Sequence, residues 1–415
     1  MMASKRKYYC YFLFTMMVAG VLLIISTLVA NHYFLHIKML HKIITAMVTI
    51  LVAGIGGSIA VILFINKGIK NTISKYILLS NMETNLIAIG AYNKVENKNY
   101  VVLPKIKIKN GTIKIKLKDL RIRKIIERYM DSFSTALPKQ YIVDDYYISK
   151  NNADIIIKYE NINDYKPEEY SLVAYKEKVR ALGMLQLYFD KKHIVNVNDH
   201  PHFLISGASG SGKSYLANQI VIQTILKGWQ VVICDIKRSY GLYKEYTDYC
   251  YEMDDILKKL QSVETEMKIR MQKLQPVLDE NPQTVAVDIG YKPMLIVIEE
   301  YISLQSALEK KQKEELERVV KNLSVLARQS NIHLMLVMQS ASTENINATT
   351  RSNLTKVLLG NAQSNILNAT FGNGVDIPNM RIKFNKGEGF IQLDRITILR
   401  IPKINDMDCI KYIIS

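Results

Sequence analysis

The sequence predicts an α/β fold with a mostly parallel sheet in its C-terminal part, preceded by a small α+β adaptor domain and a two-helix transmembrane hairpin. Three observations carry this: a glycine-rich loop between an apolar run and a helical pattern, apolar strands alternating with amphipathic helices after it, and two long uncharged stretches near the N-terminus. At 415 residues the chain has room for two or three folded units, at roughly 100–200 residues each.

The N-terminal part comes first. Tyr11 to Ala30 carries no charge, and about twenty residues at about 1.5 Å each cross a hydrocarbon core of roughly 30 Å. Ile43 to Ile65 is equally free of charge. Residues 1–75 are therefore expected to form a membrane anchor with spans at 11–30 and 43–65. Lys5, Arg6 and Lys7 precede the first run, and Lys67, Lys70 and Lys75 follow the second. The positive-inside bias then places both termini, and the chain beyond the second span, on the cytoplasmic side of the cell membrane. Lys38 and Lys42 in the connector weaken that bias without reversing it. A cleaved signal peptide would have a shorter apolar core and a small-residue cleavage site. Gly54, Gly56, Gly57 and Ser58 suit close helix packing, within the hairpin or between protomers.

The charge balance is 55 Lys+Arg against 38 Asp+Glu, a net +17. An anionic partner fits this, either nucleic acid or the acidic inner leaflet. An AT-rich coding sequence, which favours lysine, isoleucine, asparagine and tyrosine, also accounts for it. Cys10, Cys234, Cys250 and Cys409 show neither metal-ligand spacing nor a disulfide framework, which excludes those two classes of stabilisation.

Residues 78–188 are expected to form the α+β adaptor domain. Lys105 to Lys118 alternates isoleucine and lysine on both sides of Asn110-Gly111, a hairpin signal with Ile106, Ile108, Ile113, Ile115 and Leu117 on one face. The lysine face suits lipid headgroups, a DNA path or plain solvent, where lysine guards a sheet edge; the last is slightly favoured. Arg121, Arg123, Lys124 and Arg128 carry the charge into a helix, and strands follow over 140–149 and 154–159.

Residues 191–415 are expected to form the motor. Phe203 to Ser206 is an apolar strand running into Gly207, Ala208, Ser209, Gly210, Ser211, Gly212, Lys213 and Ser214, with a helical pattern from Tyr215. This is the phosphate-binding loop in its strand–loop–helix setting. Glycines let backbone N–H groups converge on phosphate, and the helix N-terminus adds its positive end. Lys213 is expected on the β- and γ-phosphates of ATP and Ser214 on Mg²⁺. Gln230 to Lys237 forms an apolar strand ending in Asp235 and Lys237, and Met294 to Ile298 another ending in Glu299 and Glu300. Acids at the carboxyl ends of buried parallel strands are what a nucleotide site needs. One supports the metal shell and its neighbour activates water. A further strand, Ile332 to Met338, ends at Gln339, a γ-phosphate sensor or simply a polar strand exit. Helices are expected over 255–274 and 305–330.

The order GASGSGKS, CDIK, the helix around Glu264 to Arg270, IVIEEY, and ARQSNIHLMLVMQS resembles the FtsK/SpoIIIE family of membrane-anchored, DNA-translocating ATPases over residues 191–415. The resemblance implies a RecA-like motor assembling as a homo-hexamer around DNA. Carried over by motif, Lys213 and Ser214 hold phosphate and Mg²⁺, Glu299 supports the metal, Glu300 is the catalytic carboxylate and Gln339 the sensor. The phosphate-binding set runs from Gly207 to Tyr215, and Arg351 lies where a basic residue can approach a neighbour's nucleotide. The family usually has Asp then Glu at the Walker B strand, whereas this chain has Glu299 then Glu300, which puts the metal geometry in question. Two spans and a short tail, Pro402 to Ser415, are similar to the TcpA-type coupling proteins of Gram-positive conjugative elements, which deliver a relaxase–DNA complex to a transfer channel. An ATP-driven protein export motor is the alternative, though tandem motor domains would fit it better.

Overall fold

The Asn-Gly hairpin and the glycine-rich loop fall in different units, 1–165 and 166–415. The computed structural model describes residues 69–405 except 97–99, 130–132, 134–136, 139–140, 150–152, 162–166, 343–344, 362 and 373–382, together with residues 3–4, 25 and 29. Apart from Ile25 and Val29, the two expected spans lie outside these residues. No helix among the described residues is long and apolar enough to cross a membrane.

In the first unit, helix α1 (Ile69–Ala88) contributes Leu78, Met82 and Leu86 to a core with the sheet formed by β1 (Ile106–Lys109), β2 (Thr112–Lys116), β3 (Tyr141–Ile148) and β4 (Asp154–Asn161). The sheet is antiparallel in the order β1-β2-β4-β3. Asn110 and Gly111 both take positive φ, 46° and 70°, the turn that matches strand twist in a two-residue hairpin. Ile108 therefore faces Ile113, and Lys107 faces Lys114. Ile113 and Ile115 are buried with Ile155 and Ile157, whereas the lysine face carries the Lys114–Asp154 ion pair. Helix α2 (Leu120–Arg128) starts where Asp119 accepts from the Arg121 and Ile122 amides.

The second unit is built on an eight-stranded sheet. Its strands are β7 (Phe203–Gly207), β8 (Gln230–Cys234), β9 (Asp248–Cys250), β10 (Met294–Ile298), β11 (Ile332–Met338), β12 (Thr355–Leu359), β13 (Glu388–Gln392) and β14 (Ile396–Arg400). They lie in the order β9-β8-β10-β11-β7-β12-β13-β14. Pairing is parallel from β9 to β12 and antiparallel beyond. Every residue of β7, β10 and β11 is buried, as strands covered on both faces require. One face packs Phe203, Ile205 and Val337 under α4 (Lys213–Leu226). The other packs Leu204, Ile296 and Leu336 under α5 (Met253–Leu278), α6 (Tyr301–Ala307) and α7 (Lys310–Leu326).

Three expectations change. The boundary expected between 188 and 191 lies instead at 165/166, because α3 (Leu172–Arg180) and the hairpin of β5 (Gln186–Asp190) and β6 (His193–Asn196) pack on the motor sheet. Gln223 of α4 makes the join: its amide donates to Tyr175 Oη at 2.9 Å and the Tyr188 carbonyl at 2.8 Å, and accepts from the Tyr188 N–H at 2.7 Å. The helix expected over 305–330 is two, α6 and α7, broken where Leu308 turns extended. Strands β12, β13 and β14 were not expected at all.

Arg270 on α5 is 1% exposed. Its guanidinium donates to the Lys292 and Ser330 carbonyls, to Gln230 Oε1 and to Glu266 Oε1, clamping the entrances of β8, β10 and β11 to one helix. Replacing it strands buried acceptors, so Arg270→Met is expected to lower stability by about 2–4 kcal/mol, measured as a drop in the urea unfolding midpoint of the full chain.

Candidate nucleotide site

β7 enters the loop through Gly207, at φ 145°; a Cβ there would lie 2.3 Å from the Leu359 carbonyl oxygen of β12. Ala208, Ser209 and Gly210 form the exposed crest. Gly212 caps α4 at φ 108°, with its absent Cβ only 3.1 Å from the Gly387 nitrogen. Ser211 holds the same turn, its carbonyl accepting from the Gly387 N–H at 2.9 Å. The first turn of α4 has no side-chain cap and no acid, so its amide N–H groups and the positive end of its dipole face an incoming anion.

Lys213 lies just inside the helix and donates to the Ala208 carbonyl at 3.1 Å. Burial pushes its pKa down; the Glu300 and Glu299 carboxylates push it up, and the nearby Lys237 ammonium pushes it down. Ser214 Oγ donates to Glu299 Oε1 at 3.0 Å, and Tyr240 Oη donates to Glu299 Oε2 at 3.1 Å. Glu299 is 4% exposed. Burial raises its pKa against those two hydrogen bonds, and the Glu300 and Asp235 carboxylates raise it further. The longer acid at the Walker B position thus still reaches the P-loop serine. Ser214 and Glu299 are hard oxygen donors of the kind Mg²⁺ takes together with phosphate and water. No group of three or more His, Cys, Asp or Glu that could hold a metal occurs among the described residues.

Asp235, fully buried at the end of β8, organises the following loop. Its carboxylate accepts from the Lys237 and Tyr240 amides at 3.1 and 2.8 Å and from Tyr249 Oη at 3.0 Å. This aims Tyr240 at Glu299 and Lys237 at Glu300, whose Oε1 lies 2.9 Å from Lys237 Nζ. Glu300 itself adopts a left-handed backbone, φ 52° and ψ 51°.

Gln339 is exposed one residue beyond β11. Since Met338 pairs with Ser206, and Leu336 with Ile298, β11 lies between the P-loop strand and the Walker B strand and delivers Gln339 at the same sheet end. Two further expected residues make contacts within the chain. Arg351, on α8 (Ala348–Ser352), donates to the Ala341 and Ala369 carbonyls, tying the segment after β11 to α9 (Ser364–Phe371) within its own subunit. Tyr215 turns its side chain away from the loop, its hydroxyl accepting from the Ile404 N–H at 2.7 Å. Sequence reasoning missed Tyr240 and the Gly387 turn. The Lys386-Gly387-Glu388-Gly389 run is a turn signal that could have located the second.

Known proteins are similar to this chain. The family described as Helicase HerA, central domain, matches residues 183–371, the span from β5 to α9. The FtsK domain-containing protein YdcQ of Bacillus subtilis is 26% identical over 196 residues, covering 46% of this chain. The DNA translocase FtsK of Treponema pallidum is 27% identical over 178 residues, covering 39%. The chain resembles the FtsK/HerA-type DNA translocases. It spans 40% and 22% of the lengths of these two relatives. The fold is shared with a solved structure of the pCW3 conjugation coupling protein TcpA, a monomer form with ATPγS. That structure superimposes with a TM-score of 0.50 at 17% identity over 80% of this chain and 97% of TcpA.

The raised pKa of Glu299 sets a pH dependence. A carboxyl whose pKa rises on folding favours the folded state below its unfolded value and costs stability as pH climbs through its folded value. Glu299→Gln is therefore expected to raise the urea midpoint of the nucleotide-free protein at pH 7, with the gain shrinking toward pH 4. Equal midpoints at pH 7 would contradict the burial cost.

Proposed function

We propose that this protein is a membrane-anchored ATPase that translocates DNA, a conjugative coupling protein delivering DNA to a transfer channel. One observation carries this reading: three adjacent strands, β7, β11 and β10, present Lys213 with Ser214, Gln339, and Glu299 with Glu300 at one sheet end, in a chain whose relatives include a DNA translocase.

Lys213 exchanges the Ala208 carbonyl for the β- and γ-phosphates, which carry more charge than a carbonyl dipole. Ser214 and Glu299 would hold Mg²⁺, which would supply positive charge against the phosphates. Glu300 accepts the proton of the attacking water, and Gln339 registers the γ-phosphate from the neighbouring strand. The segment leading from Gln339 to Ala341 is bonded to Arg351, so loss of the γ-phosphate is passed to α8 and α9. In a homo-hexameric ring, release from these carbonyls lets Arg351 reach the adjacent protomer's nucleotide. DNA is gripped through its phosphates by a chain of net charge +17, with little sequence preference and a steep salt dependence. The runs at 11–30 and 43–65 anchor the ring in the cell membrane with the motor in the cytoplasm. A relaxase on the transferred DNA and the channel proteins complete the partner set.

Hydrolysis by the purified full-length protein is expected to rise with long double-stranded DNA, and the stimulation to fall as salt increases. Lys213→Ala is expected to abolish turnover, and Glu300→Gln to bind ATP while losing at least about a hundredfold in kcat. Turnover indifferent to both double- and single-stranded DNA would instead favour the protein export motor.

A further inference from the structure

The Lys237–Glu300 contact is the strongest feature the scheme above leaves unused. It joins the carboxylate assigned to activate water to an ammonium from the loop after β8, at 2.9 Å. Unusual backbone lies at one partner and beside the other. Glu300 has φ 52°, and Arg238, next to Lys237, has φ 58°. Left-handed non-glycine residues of this kind cost free energy and persist where surrounding structure holds them. For Arg238 that structure is Asp235, which is buried and accepts from the Lys237 and Tyr240 amides through its carboxylate and from the Arg238 N–H through its carbonyl.

The two partners differ in freedom. The Glu300 side chain is 14% exposed and short; that of Lys237 is 51% exposed, on a flexible four-carbon stem. Lys237 also acts electrostatically on Lys213, as do Glu300 and Glu299, so two ammonium groups and two carboxylates share one cluster at the P-loop. Polyphosphate entering beside Lys213 brings several negative charges to that cluster. Beside Lys213, Lys237 too has the reach and exposure to change partner.

Resting on the proposed ATPase reading, we infer that Lys237 is a γ-phosphate-responsive clasp: it occupies Glu300 in the nucleotide-free site and moves to the γ-phosphate when ATP binds, freeing the carboxylate for water. While the ammonium stays on Oε1, it stands in the place of a water at that oxygen. ADP lacks the group that draws Lys237 away, so the clasp stays closed. Lys237 is a positioning residue in the free enzyme and a reader of nucleotide state in the complex.

The test measures ATPγS and ADP affinities by calorimetry on the full-length protein. Lys237→Met is expected to weaken ATPγS about tenfold, the loss of one charge-assisted contact, while leaving ADP unchanged. Lys237→Arg, which keeps the charge, is expected to restore the ratio to within about threefold. Glu300→Gln, which removes the competing carboxylate, is expected to tighten ATPγS but not ADP, and Lys237→Met in that background to cancel the gain. A wild-type ATPγS-to-ADP ratio in Lys237→Met, with an unchanged unfolding midpoint, overturns the clasp; if that variant unfolds, the wild-type ADP and ATPγS affinities of Glu300→Gln decide the same point. Normal ATP turnover by Glu300→Gln would instead overturn the underlying assignment, so the two failures are distinguishable.

Discussion

Burial of the central sheet on both faces is the constraint from which the rest follows. With β7 hydrogen-bonded on each edge and covered by helices above and below, polar groups are costly anywhere along it and collect where strands end. Gly207 shows how tight the exit is, since even a methyl group would collide with the carbonyl of Leu359 on the adjacent strand. The glycines of the loop thus meet two demands at once: close approach to the phosphates in front and to β12 and the Gly387 turn behind.

At that exit the charges are mutually satisfied. Lys213 is turned onto its own loop, Ser214 and Tyr240 share Glu299, and Lys237 holds Glu300. A site with this much buried charge would be costly if any member lacked a partner. Asp235 stands behind these contacts, because it shapes the loop that brings Tyr240 and Lys237 to the two glutamates.

The antiparallel extension, β12 to β14, has a different part. Its β12 flanks the P-loop strand, and the turn before β13 packs on Gly212. The hairpin at 186–196 reaches the same region from the other side: Asp190 accepts from the Arg400 N–H at 2.9 Å and binds His193, whose other nitrogen meets Thr397. Segments far apart in sequence thus brace one sheet edge.

Local pattern made much of this legible. Motif and flanking periodicity located the P-loop, because its chemistry needs contiguous residues. The Asn110-Gly111 hairpin was legible for the same reason, as turn and strand alternation are short-range. The strand-terminal acids Asp235, Glu299 and Glu300, and Gln339, were also visible, since a buried run ending in a polar side chain is a local signal. What joins them was not: that β11 lies between β7 and β10, that Tyr240 shares Glu299, that Lys237 reaches Glu300, that Tyr215 turns to Ile404 and that Arg351 is tied to Ala341 and Ala369. The extension from β12 to β14 escaped notice because its short apolar runs do not separate strand from helix by periodicity alone. Sequence by itself determined which chemistry each segment brings, since that resides in side chains and local backbone. Tertiary structure alone decided which of those groups meet, because strand order and loop packing are set by burial across the whole sheet.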